Sequence, residues 1–134
     1  MNSDSLHLVV LLPAHPEDVF DAWMSSDGHA AMTGAAASVQ PGEGGRFHAW
    51  DGYIEGWSVR VDRPHTVVQR WRTSDFPQDA PDSLLELWFS QAPEGTRLEL
   101  RHTEIPAGQG PDYGQGWEDF YFAPMRAWFG ARAP

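Results

Sequence analysis

Residues 113–129, YGQGWEDFYFAPMRAWF, place Tyr113, Trp117, Phe120, Tyr121, Met125, Trp128 and Phe129 in a repeating pattern in which each ring or Met has another three or four residues away. Side chains so spaced share one face of an α-helix, and the stretch predicts an amphipathic helix whose apolar stripe is made of large rings. Such a stripe is buried only against a broad apolar surface. A long, strongly twisted antiparallel sheet curling around the helix supplies one. Pro124 lies inside the pattern and predicts a kink or break, because it removes a backbone donor and crowds the preceding turn.

Upstream of the helix the apolar period drops to two. In Thr96–Thr103, Leu98, Leu100 and His102 alternate with Arg97, Glu99 and Arg101, as in a half-buried strand, and Pro93-Glu94-Gly95 reverses the chain ahead of it. Leu84–Ser90 reads as the preceding strand, and Thr66–Thr73 as another with Val67, Gln69 and Trp71 on one face. Arg46–Trp50 and Tyr53–Val61 flank Asp51-Gly52, a two-residue hairpin signal that pairs Trp50 with Tyr53, Ala49 with Ile54 and His48 with Glu55. With Phe47, Ala49 and Ile54 inward, Trp57, Val59 and Val61 also point inward only if a bulge shifts the alternation. That bulge is expected at Glu55-Gly56. Ala36–Gln40 reads as a further strand before the Pro41–Gly45 loop.

Nearer the start, Leu6–Leu12 reads as a strand ending at Pro13. Pro16 suits a first helical position, Glu17 and Asp18 suit the positive end of the helix dipole, and Val19, Phe20, Trp23 and Met24 share a face. His29–Met32 suggests a second short helix closed by Gly34. The expected order is strand, two short helices, about six strands and a terminal helix, an α+β pattern.

The chain has 134 residues and a formal net charge of -10. That length suits a single domain, residues 1–134, burying roughly two thirds of its unfolded surface. The negative charge argues against nucleic acid and anionic membrane surfaces as partners, since affinity for both rests on clustered cations. Without cysteine there is no disulfide, thiolate nucleophile or Cys-type zinc site. All 9 basic residues are arginine, which removes Schiff-base chemistry and a phosphate-loop lysine. The apolar run Leu8–Leu12 is too short for a secretory core or membrane span, so the expected location is cytoplasmic.

Pro16–Trp23, Gly44–Gly56, Pro64 ahead of Val67–Arg72, Thr96–His102, and Gly116-Trp117 with Tyr121, Pro124 and Met125 together resemble the START-like (SRPBCC) superfamily, in the branch of the activator of the heat-shock-protein-ninety ATPase. The resemblance implies a helix-grip fold: about seven strands wrapped around the last helix, with a cavity between them that in many relatives holds an apolar small molecule. It leaves function open, since lipid carriers, hormone receptors, polyketide cyclases and co-chaperone domains share the fold.

The first functional expectation is therefore an apolar or aromatic small molecule bound between sheet and helix. Trp23, Phe47, Ile54, Trp57 and Gln69 are candidate lining residues from the first half of the chain. Trp71, Leu87, Leu100 and His102 are candidates from the later strands, and Trp117, Phe120 and Tyr121 from the helix. His102 has two readings, a ligand-bonding or basic group and a core histidine bonded near Tyr113. The alternative function is a chaperone cofactor acting through outer-face arginines (Arg60, Arg70, Arg72, Arg97, Arg101) or through an exposed Phe76-Pro77 loop. A cyclase- or hydrolase-like enzyme is the weaker third reading and requires His102 or Glu55 in the pocket. No catalytic or metal site is assigned and no cofactor is implied. His48 and Glu55 are cross-strand neighbours without a third ligand, and neither G-x-S-x-G nor H-E-x-x-H occurs. The chain is expected to be a monomer or homodimer, with exposed Trp50 or Trp88 marking a dimer contact.

Overall fold

A computed structural model describes residues 3–132. Seven antiparallel strands, β1 (Ser3–Leu12), β2 (Ser38–Val39), β3 (Arg46–Ala49), β4 (Ile54–Asp62), β5 (Thr66–Thr73), β6 (Ser83–Ala92) and β7 (Gly95–Pro106), lie in the order β1-β7-β6-β5-β4-β3-β2. Two short helices, α1 (Pro16–Trp23) and α2 (Ser26–Thr33), follow β1. The chain ends in α3 (Gly110–Gly116), a π-helical turn (Trp117–Phe122) and α4 (Ala123–Arg132). This is the helix-grip, α+β architecture that the sequence implied.

Local chemistry accounts for the helix ends. Pro16 opens α1, where its missing donor costs nothing, and Glu17 and Asp18 sit in the first turn. The Ser25 hydroxyl accepts the Gly28 N–H at 2.9 Å to cap α2, and Gly34, at φ 84°, closes it in the left-handed conformation. In the sheet, Leu12, Val67, Leu85, Leu87, Leu98 and Leu100 are fully buried on the inner face. Against them pack Val19, Phe20 and Trp23 from α1, and Trp117, Tyr121, Met125 and Phe129 from the terminal helix.

The hairpin differs from expectation in its phase. Ala49 faces Ile54 and His48 faces Glu55, as predicted, but β3 and β4 pair without interruption through Arg46 and Trp57. The register shift lies on β4 between Ser58 and Arg60, against β5. Ile54, Gly56 and Ser58 therefore point inward, while Trp57 and Val59 stand on the outer face, 37 % and 40 % exposed. Glycine is what keeps the alternation intact at position 56. A Cβ there would lie 1.8 Å from the Arg70 carbonyl oxygen and 2.9 Å from the Phe47 ring. Trp50 does not extend the ladder: at φ 51° it leaves the strand, and its carbonyl accepts Tyr53 N–H at 3.1 Å to close a turn through Asp51 and Gly52.

Pro124 does not break the terminal helix. The π turn widens the backbone just before it, with Ala123 N–H donating to the Glu118 carbonyl. Trp117, Tyr121, Met125 and Phe129 recur every four residues and are all buried. In a regular α-helix a four-residue step turns about 400°, so such a stripe drifts by about 40° per step. The wider turn removes part of that drift and keeps the four side chains on the sheet.

Candidate functional site

Between the helix and the β3–β5 end of the sheet lies a cleft of about 660 Å³. Ile54, Trp71, Trp117 and Tyr121 form its inner wall, with the Trp71 and Trp117 ring centres 5.6 Å apart. Trp50 and Phe120 meet edge to face at 5.2 Å beside them, and Phe120 is 53 % exposed. Phe122 and Met125 belong to the core, whereas Phe120 does not.

One end of the cleft is polar. Tyr53 donates to Asp75 Oδ2 at 2.7 Å, and Gln109 Nε2 donates to the Asp75 carbonyl at 3.1 Å. Thr73 Oγ1 accepts Asp75 N–H at 3.1 Å and meets Tyr113 Oη at 2.6 Å. Tyr113 in turn donates to Gln109 Oε1 at 2.9 Å. Asp112 completes the lining. Burial, and then the bond to Asp75, pushes the Tyr53 phenol up; burial also raises that of Tyr113. Both hydroxyls thus stay protonated donors at neutral pH.

His102 lies behind the wall, fully buried, with its ring 4.6 Å from that of Trp71. Trp117 Nε1–H donates to its Nδ1 at 3.2 Å, so its Nε2–H donates to Ser83 Oγ at 2.8 Å, and the Ser83 hydroxyl donates to the Trp71 carbonyl at 2.6 Å. Burial pushes its pKa down to about 3. It is a neutral core histidine bonded to Trp117 and Ser83, with only ring contact to Tyr113. Both ring nitrogens are engaged, and Glu55 is exposed on the outer face, so neither residue meets the requirement of the enzyme reading.

Of the other candidate lining residues, Trp23, Phe47, Gln69, Leu87 and Leu100 are buried in the core beyond the cleft. Gln69 points inward as expected, but accepts from Trp23 Nε1 at 3.4 Å and donates to Ser58 at 3.2 Å. Trp57 is a correction, since the bulge follows it and it faces solvent. Phe76 is another: it is 6 % exposed and packs on Trp71 and Tyr113, so no exposed aromatic marks that loop. Trp50 and Trp88 are half-buried, Trp88 under the Arg101 guanidinium at 5.6 Å. His48 and Glu55 pair on the solvent side, and no cluster of three metal-ligating side chains occurs among the described residues.

Sequence reasoning missed His29 and the polar end of the cleft. His29 Nδ1–H donates to the Trp23 carbonyl at 3.0 Å, its Nε2 accepts the Tyr121 hydroxyl at 2.8 Å, and burial lowers its pKa. The Tyr121 contact spans 92 residues of chain. No local spacing signals it.

The outer face of the sheet carries Arg70 paired with Glu104 at 3.2 Å, Arg97 with Glu99 at 3.2 Å, and His7 with Glu99 at 2.6 Å. Val9 and Leu11 stand beside Glu99 and Arg97, each 45 % exposed. No helix among the described residues is long and apolar enough to cross a membrane.

The family model described as "Activator of Hsp90 ATPase homolog 1-like protein" matches residues 13–130. The chain is 27 % identical over 115 residues to the human "Activator of 90 kDa heat shock protein ATPase homolog 1", covering 86 % of this chain and 34 % of that protein. It is 22 % identical to the Dictyostelium discoideum activator, covering 77 % of this chain and 27 % of that protein. The chain thus spans about a third of the length of the curated relatives it matches. Among solved structures, an HSP90 activator from Plasmodium falciparum superposes with a TM-score of 0.85 at 24 % identity, covering 94 % of this chain and 96 % of that one. The Aha1 dimer from Colwellia psychrerythraea gives 0.74 at 14 %, covering 96 % and 97 %. These likenesses show the shared fold.

Proposed function

The chain belongs to the Activator of Hsp90 ATPase homolog 1-like family, and from that premise we propose that it acts as a chaperone cofactor, engaging an Hsp90-type ATPase through its folded surface. The family match over residues 13–130 carries this reading. The outer sheet face supports it physically. Val9 and Leu11 present exposed apolar surface beside Arg97, a mixture suited to a protein partner. A cofactor and its chaperone share a compartment, and the cytoplasmic expectation stands with this reading.

The test is the ATPase rate of a purified Hsp90-type chaperone from the same source, with and without the full chain. A concentration-dependent rise supports the proposal, and the double variant Leu11→Asp/Arg97→Glu should weaken it at least about threefold, since rim charges and apolar anchors set affinity. Neither binding nor stimulation at saturating protein rejects it.

A second reading has its own observation. A cleft of about 660 Å³ walled by Trp71, Trp117 and Tyr121 is of the size and character of small-molecule sites, which span about 300–1,000 Å³. We therefore also propose ligand binding there.

A further inference from the structure

We propose that the cleft takes an organic cation, an amine or quaternary ammonium carrying an aromatic or branched apolar body, rather than an uncharged apolar molecule. This rests on the second reading above, that the cleft binds a small molecule. Two independent features of the lining converge on it. The apolar part is almost wholly aromatic, and ring faces attract cations through their quadrupoles. The polar part carries Asp75 and Asp112, while no arginine or histidine contributes to the lining.

Those carboxylates are not neutralised from elsewhere. Neither forms an ion pair among the described residues. Arg72, the arginine nearest to Asp75 in sequence, is held by Asp82 at 3.0 Å and by the carbonyls of Ala80 at 2.9 Å and Pro77 at 3.1 Å. The hydrogen bond from Tyr53 orients the Asp75 carboxylate without cancelling its charge. Asp75 and Asp112 are both exposed at the rim of the cleft, so an ammonium group at this end is drawn by two solvated carboxylates while its apolar body lies against the rings. An anion meets two carboxylates in a chain of net charge -10 and is disfavoured.

The experiment compares benzyltrimethylammonium with neopentylbenzene, its uncharged isostere, and with benzenesulfonate. Binding to the full chain is followed at low salt by tryptophan fluorescence and by the indole N–H resonances of Trp71 and Trp117. The expected result is that the ammonium binds at least about tenfold more tightly than the isostere, with no sulfonate binding. Asp75→Asn with Asp112→Asn should reduce that preference below about threefold and leave the isostere's affinity unchanged. If that variant does not fold, the wild type decides: an ammonium affinity that falls with added salt while the isostere's does not supports the proposal, and equal salt responses overturn it. An isostere that binds as tightly as the ammonium overturns the cation assignment and leaves the cleft a small-molecule site. Silence of the indole signals with every probe overturns both.

Discussion

Gly52 and Gly56 belong to one hairpin yet are glycine for different reasons. Gly52 sits at φ 91°, and a Cβ added there would meet nothing within 4 Å, so only backbone strain opposes substitution. Gly52→Ala should cost about 1 kcal/mol. At Gly56 the φ is ordinary but the Arg70 carbonyl oxygen lies 1.8 Å from where a Cβ belongs, so β4 and β5 must part. Gly56→Ala should cost about 3 kcal/mol, and urea denaturation of the two variants checks the order. The buried histidines set the pH response. His102 titrates near 6.5 unfolded but at about 3 folded, and His29 is shifted the same way. The unfolded chain therefore binds more protons than the folded one between those values. The His102 contribution is full above pH 6.5 and falls as pH drops toward 3, with a slope of about 1.4 kcal/mol per pH unit, and His29 acts in the same direction. His102→Asn should be less stable at pH 7 yet lose less on going to pH 4.5, as read from urea midpoints at both pH values.

At the scale of elements, the terminal helix shows how a disruptive residue is accommodated. Proline inside a regular α-helix costs about 3 kcal/mol, from the missing donor and the clash with the carbonyl four residues back. Here the π turn from Trp117 to Phe122 already opens that part of the ladder before Pro124. Pro124→Ala should therefore change stability by less than about 1 kcal/mol in thermal or urea denaturation. A gain near 3 kcal/mol would show instead that the proline strains the helix. The β4 bulge has a comparable consequence. By falling at Val59 rather than at Glu55-Gly56, it leaves Ser58 inside to meet Gln69, and puts Trp57 outside between Arg46 and Arg70.

At the scale of the whole molecule, 19 acidic residues against 9 arginines leave a charge of -10, and long-range repulsion competes with the local surface ion pairs. Most of those pairs are well exposed, including Arg63–Asp21, and solvent screening leaves such pairs contributing little. Raising ionic strength from about 0.01 to 0.15 M shortens the Debye length from about 30 to 8 Å. Repulsion is then screened more than the short pairs are, and the unfolding midpoint should rise by a few degrees. A fall in the midpoint would show that the ion pairs dominate. The two functional proposals occupy opposite sides of the sheet: the chaperone reading uses its outer face and the cation reading the cleft under the helix. Variants of one should leave the other intact.

The sequence by itself determined what repeats along the chain. Alternation in Thr96–Thr103 and Thr66–Thr73, the Asp51-Gly52 turn, the Gly34 cap and the aromatic stripe from Tyr113 to Phe129 each reflect one side chain's choice between core and water, and such choices recur with the element's own period. The family resemblance then supplied the grip of sheet on helix. The phase of β4 is not legible in the sequence, because Gly56 has no side chain to reveal which way it faces; a carbonyl on the neighbouring strand decides it. The cleft too belongs to the tertiary structure alone. Its polar end assembles Tyr53, Asp75, Gln109 and Asp112 from three separate segments, and whether an aromatic such as Phe120 lines a gap or fills one depends on how closely helix and sheet approach. That distance is set by all the packed side chains together, so no local pattern carries it.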